Sequence, residues 1–177
     1  MPPIEFDSLT RLTASAQGEP GQRRFYLLVS DNNVWARVWI DRDQLEALGL
    51  ATRQVLASLE GKLFLDAEPT APVAGLDRDP DPTSRPEAEF RAGRLTLGYD
   101  AQRDLIALVT GDAEASDAGV PVLACRATRV QMEALALRIG EVLAAGRPRC
   151  NLCNGPLEEG VPHICPRANG HPPGDYL

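Results

Sequence analysis

From Thr128 to Ala144 the apolar residues Met132, Leu135, Ala136, Ile139, Val142 and Leu143 recur at intervals of three and four. That interval lines one face of an α-helix, so the stretch predicts an amphipathic helix with this face in the core. Thr128 followed by Gln131 is a capping signature: the threonine oxygen accepts from a free amide of the first turn, and the glutamine reaches back. Gly146 and Pro148 end the pattern. A related stretch stands 87 residues earlier. "DRDQLEALGLATRQVLA" (Asp41–Ala57) and "TRVQMEALALRIGEVLA" (Thr128–Ala144) share nine of 17 positions, among them Arg42/Arg129, Gln44/Gln131, Leu48/Leu135 and Val55/Val142. Asp41 and Gln44 repeat the cap. The match predicts an internal duplication.

Between these helices the period changes to two, the signature of strands. "RFYLLVS" and "VWARVWI" flank "DNN" and predict a hairpin; Leu9–Ala16 is a further candidate strand. In the second half "EFRAGRLTLGYD" reads as two short strands bent at Gly93, and "DLIALVTGD" and "VPVLACRA" add two more. The expected fold is α+β: two pseudo-repeats, each of about four antiparallel strands followed by one helix, occupying residues 1–147. The Pro- and Asp-rich run "LDRDPDPTSRPE" is expected as a loop between the halves.

Composition narrows the function. At 19.1 kDa and 44% hydrophobic residues the chain can bury a real core. A net charge of −7 argues against a surface that grips nucleic acid as a whole. No apolar run is long enough to span a membrane, and the start "MPPIEFDSLTRL" lacks the marks of a signal peptide, so a cytoplasmic location is expected. No Gly-x-Ser-x-Gly, nucleotide-binding glycine loop or His-Glu-x-x-His is present.

The clearest chemistry lies in "CNLCNGPLEEGVPHIC". It holds three of the four cysteines and one of the two histidines. A Cys-x-x-Cys knuckle can present two thiolates to one tetrahedral ion, and "HIC" adds an imidazole and a third thiolate. Prolines and glycines interrupt the segment, so it has little core of its own. Residues 148–177 are therefore expected to form a zinc-binding tail with ligands Cys150, Cys153, His163 and Cys165, His171 being an alternative fourth ligand. Four such ligands close a tetrahedral shell, which is the arrangement of a structural zinc. No histidine stands in the body to serve as a general base.

"GEPGQRRFYLL", "EFRAGRLTLGYD" and "VLAAGRPRCNLCNGPLEEGVPHICPRANG" resemble the uncharacterised bacterial family catalogued as domain of unknown function 3090. The resemblance runs nearly end to end and includes the tail pattern Cys-x-x-Cys, then Gly-His-x-Cys-Pro-Arg-x-Asn-Gly. It places Cys150, Cys153, His163 and Cys165 at the family's ligand positions. Where this chain has His171 the family usually has tyrosine, which favours His163. Pro162 and Asn154 depart from the family's glycines, in the loop and not among the ligands. Family members are often encoded beside a histidine-phosphatase-like protein and a phosphoinositide-kinase-like protein, so the resemblance implies a protein partner of the phosphatase-like or kinase-like kind.

Three other groups carry possible ligand-binding chemistry. Trp35, Arg37 and Trp39 share one strand face; aromatics around an arginine can stack bases, but two tryptophans on a strand are expected in the core. Arg23, Arg91 and Arg167 could converge on a phosphate or carboxylate, or join loops to the tail, which is the expected role. Cys125 is expected as a buried small apolar residue. The resulting expectation is a non-enzymatic binding or adaptor module with a structural zinc. A single-stranded nucleic-acid binder using the Trp/Arg face is the alternative, and a zinc-dependent hydrolase a weaker one.

Overall fold

Strands β3 (Arg24–Ser30) and β4 (Trp35–Ile40) form the hairpin that "DNN" predicted, with Ser30 opposite Trp35 and Phe25 opposite Ile40. Asp31 closes its end: its amide donates to the Val34 carbonyl at 3.1 Å, and its carboxylate accepts the Val34 amide at 2.9 Å. The computed structural model describes residues 3–18, 22–31, 34–59, 85–115, 120–145, 150, 152–153, 157 and 163–167. Around the hairpin are β1 (Ile4–Phe6), β2 (Arg11–Gln17), helix α1 (Arg42–Leu59), β5 (Ala88–Asp100), β6 (Leu105–Asp112), β7 (Pro121–Ala127) and helix α2 (Arg129–Ala145).

The fold is α+β, a seven-stranded sheet in the order β1-β7-β6-β5-β4-β3-β2 with two helices. Strands β2-β3-β4 form one antiparallel meander and β5-β6-β7 another, and each leads into a helix. The expectation of four antiparallel strands per half is corrected in two respects. Strand β1 leaves the first half and lies parallel beside β7, and β4 and β5 meet in parallel. The destination of β1 has a physical reason. It covers the open edge of β7, and it brings Phe6 opposite Cys125 into full burial. Arg126 on β7 pairs with Asp7 just beyond it.

A second correction concerns β5, one strand and not two. It carries a register shift between Ala92 and Leu95, at the predicted bend. Before the shift Phe90 and Ala92 face the core, and after it Leu95, Leu97 and Tyr99 do. Gln44 Nε2 donates to the carbonyls of Ala92 and Gly93 at 3.3 and 3.1 Å, satisfying backbone acceptors that the bulge takes out of the ladder.

Both capping boxes form. The Gln44 amide donates to Asp41 Oδ1 at 2.8 Å and the Asp41 amide to Gln44 Oε1 at 3.2 Å; the Thr128–Gln131 pair repeats this at 3.2 and 2.9 Å. The helices pack through Leu45, Leu48, Met132, Leu135 and Ile139 against the inward-facing Ala36, Val38, Leu108 and Leu123. Full burial of such side chains contributes about 1.5–3 kcal/mol each. Among the described residues no helix is long and apolar enough to cross a membrane. Most of the Pro- and Asp-rich run between the halves lies outside the described residues.

Candidate functional site

Cys150, Cys153, His163 and Cys165 come together: their four ligand atoms all lie within 4.8 Å of one another. Cys150 Sγ stands 3.7 Å from Cys165 Sγ, and Cys153 Sγ stands 3.2 Å from His163 Nε2. A disulfide has its sulfurs about 2.05 Å apart, so the Cys150–Cys165 pair is not bonded. Cys165 is fully buried and Cys150 nearly so, while Cys153 and His163 are half-buried. The knuckle geometry acts on Cys150 directly. The amides of Cys153 and Leu152 donate to its sulfur and, with the neighbouring thiols, bring its pKa down to about 6 despite burial. Hydrogen bonds to the charged form favour that form, so a thiolate is available at neutral pH.

Arg167 belongs to this cluster. Its Nη1 donates to the Leu152 carbonyl at 3.1 Å, tying the chain just after Cys165 back to the Cys-x-x-Cys knuckle. Both residues lie within 148–177, so the bond joins two stretches of the tail. The alternative ligand His171 lies outside the described residues.

The other candidates divide. Trp35, Arg37 and Trp39 do share a face of β4, but it is the face opposite Ala36, Val38 and Ile40. The expectation that the tryptophans are core residues is corrected: both are half-buried on the side away from the helices. The Arg37 guanidinium explains the choice, because burying it in the apolar core would cost several kcal/mol. It stands 5.3, 5.3 and 5.6 Å from the rings of Tyr26, Trp35 and Trp39. Glu89 on β5 completes the cluster, accepting from Trp39 Nε1 at 2.8 Å and from Arg37 Nη1 at 3.4 Å. Arg23 and Arg91 line a cavity of about 590 Å³ together with Trp39, Arg24 and Arg42. Sequence reasoning missed Tyr26, Arg24, Arg42 and Glu89. The signal for Tyr26 was the hairpin register, which sets it opposite Trp39.

The sequence matches the family described as protein of unknown function (DUF3090) over residues 4–165. The chain belongs to this family. No curated protein and no solved structure matches it. The DUF3090 match ends on Cys165 and so includes all four members of the Cys/His cluster.

In this DUF3090 chain the cluster is suited to holding an ion. Three sulfurs and one imidazole nitrogen are the donor set of a soft or borderline divalent metal. Cys125, the fourth cysteine, is fully buried on β7, and burial pushes its thiol up to about 12, leaving it protonated and unreactive.

Proposed function

We propose that this chain is a non-enzymatic binding or adaptor module in which zinc staples residues 148–177 and the body, residues 1–147, presents the binding surface. The convergence of Cys150, Cys153, His163 and Cys165 carries the reading. Two thiolates held by one tetrahedral zinc at about 2.3 Å stand about 3.8 Å apart, and the 3.7 Å between Cys150 and Cys165 supports that ion. Four protein donors leave no position for substrate, which supports a structural role over a hydrolytic one. Free thiols at this spacing fit a reducing, cytoplasmic setting. Leu152 and Ile164, 53% and 79% exposed beside the ligands, offer apolar contact to a protein partner, a phosphatase-like or kinase-like protein being the expected kind. The same reading takes the two halves as copies. Its support is the pair of matching caps and the parallel contacts β4–β5 and β7–β1, one after each meander.

The test is elemental analysis of protein purified without chelator, followed by partner capture from the native cell with and without the metal. One zinc per chain and metal-dependent capture are expected; no stoichiometric metal in protein purified without chelator overturns the reading. The partly exposed Tyr26, Trp35 and Trp39 favour single-stranded nucleic acid as a second reading. Salt-dependent binding of an oligonucleotide, lost in Trp35→Ala, would establish it.

A further inference from the structure

The cavity of about 590 Å³ between the start of β3, the end of β4 and the first half of β5 is lined by four guanidiniums: Arg23, Arg24, Arg42 and Arg91. Register brings them there. Arg91 is the partner of Trp39 in the parallel β4–β5 ladder, Phe25 is the partner of Ile40, and Arg42 opens the helix that follows Asp41. We propose that this cavity binds a small molecule carrying two or more phosphate groups.

Guanidiniums at a protein surface ordinarily sit beside carboxylates, and this cavity has three: Asp41, Glu89 and Glu114. Two are committed elsewhere. Asp41 caps α1 through its Oδ1, and Glu89 accepts from Trp39 and from Arg37, an arginine outside the cavity lining. Among the described residues none of Arg23, Arg24, Arg42 and Arg91 has an ion-pair partner. The lining therefore carries four guanidiniums against three carboxylates, two of them already engaged, a local excess of positive charge in a chain whose net charge is −7. Such a concentration of like charge in one concavity is unfavourable without an anion and gives an anion its binding energy.

Size and geometry point to the class. The cavity lies in the range of small-molecule sites, about 300–1,000 Å³, and is far larger than one phosphate ion needs. Four guanidinium forks, each able to give a carboxylate or phosphate two N–H donors, match several phosphate groups and not one. Trp39 already carries Arg24 at 4.3 Å from its ring centroid, so the indole serves to hold a guanidinium in place.

This inference names a ligand for the binding reading above, and its failure leaves that reading's metal test untouched. Calorimetry on the full chain with its metal uses inorganic triphosphate as the probe, with phosphate, ATP and a short oligothymidylate as further arms. Saturable 1:1 binding of triphosphate, much tighter than phosphate and weakened by salt, is expected. ATP binding more tightly than triphosphate would place an organic ester in the site, and the reverse an inorganic polyphosphate. The double variant Arg24→Gln/Arg91→Gln should lose about tenfold or more in affinity with unchanged thermal midpoint and metal content. Arg53→Gln, on α1 outside the cavity, should bind as before. Glu114→Gln should bind more tightly, since it removes the carboxylate left to compete with the ligand, and it keeps the test open should the double variant fail to fold. No saturable binding at millimolar triphosphate, equal binding by the double variant, or tighter binding of the oligonucleotide would overturn the proposal.

Discussion

Arg129, the first residue of α2, donates from Nη1 to the carbonyl of Leu59, the last residue of α1, at 2.8 Å. One guanidinium thus satisfies an acceptor at a helix end that has no partner within its own helix. The same side chain holds Asp104 through Nε at 2.9 and 3.1 Å and the Tyr99 hydroxyl through Nη2 at 3.2 Å. Asp104 sits in the left-handed region, with φ of 53°, in the turn between β5 and β6. The network joins the end of the first half to two elements of the second.

Arg129→Ala should therefore destabilise the body by about 1.5–3 kcal/mol, the range for hydrogen bonds to a charged group. Arg129 and then Tyr99 hold the Asp104 pKa below the usual carboxylate range. A carboxylate lowered on folding contributes stability above its unfolded pKa and loses it as pH falls through the folded value. Asp104→Asn, which the left-handed backbone accepts, should be less stable than wild type at neutral pH, the two converging in acid. Urea titrations of both proteins across pH 2–7 measure this, and parallel curves would show that Asp104 contributes nothing through its charge.

Gly49 marks a close approach of the two helices. A Cβ built there lies 2.9 Å from Ile139 Cγ2. Gly→Ala inside a helix ordinarily gains about 1 kcal/mol, whereas overpacking a core costs about 1–3 kcal/mol. Gly49→Ala is expected to lower the thermal midpoint despite its better propensity. In an Ile139→Ala background, itself destabilised by the cavity it leaves, Gly49→Ala should cost less than it does alone, a non-additivity that reports direct contact. A stabilised single variant would mean that the helices move apart freely.

Thr52 is fully buried on α1, and among the described residues its hydroxyl has no hydrogen-bond partner. An unmade hydrogen bond in a dry site costs about 1–3 kcal/mol. Thr52→Val keeps the shape and removes the polar atom, so it should raise stability by about 1–2 kcal/mol on the same reasoning. Chemical denaturation decides the sign, and a loss would indicate a partner for the hydroxyl.

Metal loss should affect the tail before the body. Leu152 and Ile164 are exposed, so little apolar burial offsets the backbone entropy of ordering the tail, about 1–2 kcal/mol per residue. Cys150→Ser/Cys153→Ser should leave a folded body and a tail that trypsin removes after Arg147 or Arg149. Cooperative loss of the whole fold would place the tail inside the domain; a protease-resistant tail in the variant would show that the metal does not organise it.

Much of this was legible from local pattern. The capping boxes depend on residues three apart, and both form. The ligand set depends on a knuckle and a short return loop, and its four members converge. The meanders followed from alternation and turn residues. What escaped was set by partners distant in sequence. Nothing in "IEF" says that β1 will cross to β7, and nothing local brings Arg23 and Arg24 beside Arg91. Arg37 was a signal passed over: a guanidinium between two tryptophans already argues that their face lies away from the core.

The sequence by itself determined the two capped helices and the Cys/His donor set, because both are specified by contacts within a few residues of chain. Tertiary structure alone decided which face of β4 looks inward and which arginines share a cavity. Alternation gives a strand two faces without ranking them. The ranking came when α1 and α2 packed against Ala36, Val38 and Ile40, leaving Trp35, Arg37 and Trp39 outside, where the guanidinium keeps access to water and to Glu89. The arginines met because pairing register, Trp39 with Arg91 and Phe25 with Ile40, places distant residues side by side, and register is a property of the assembled sheet.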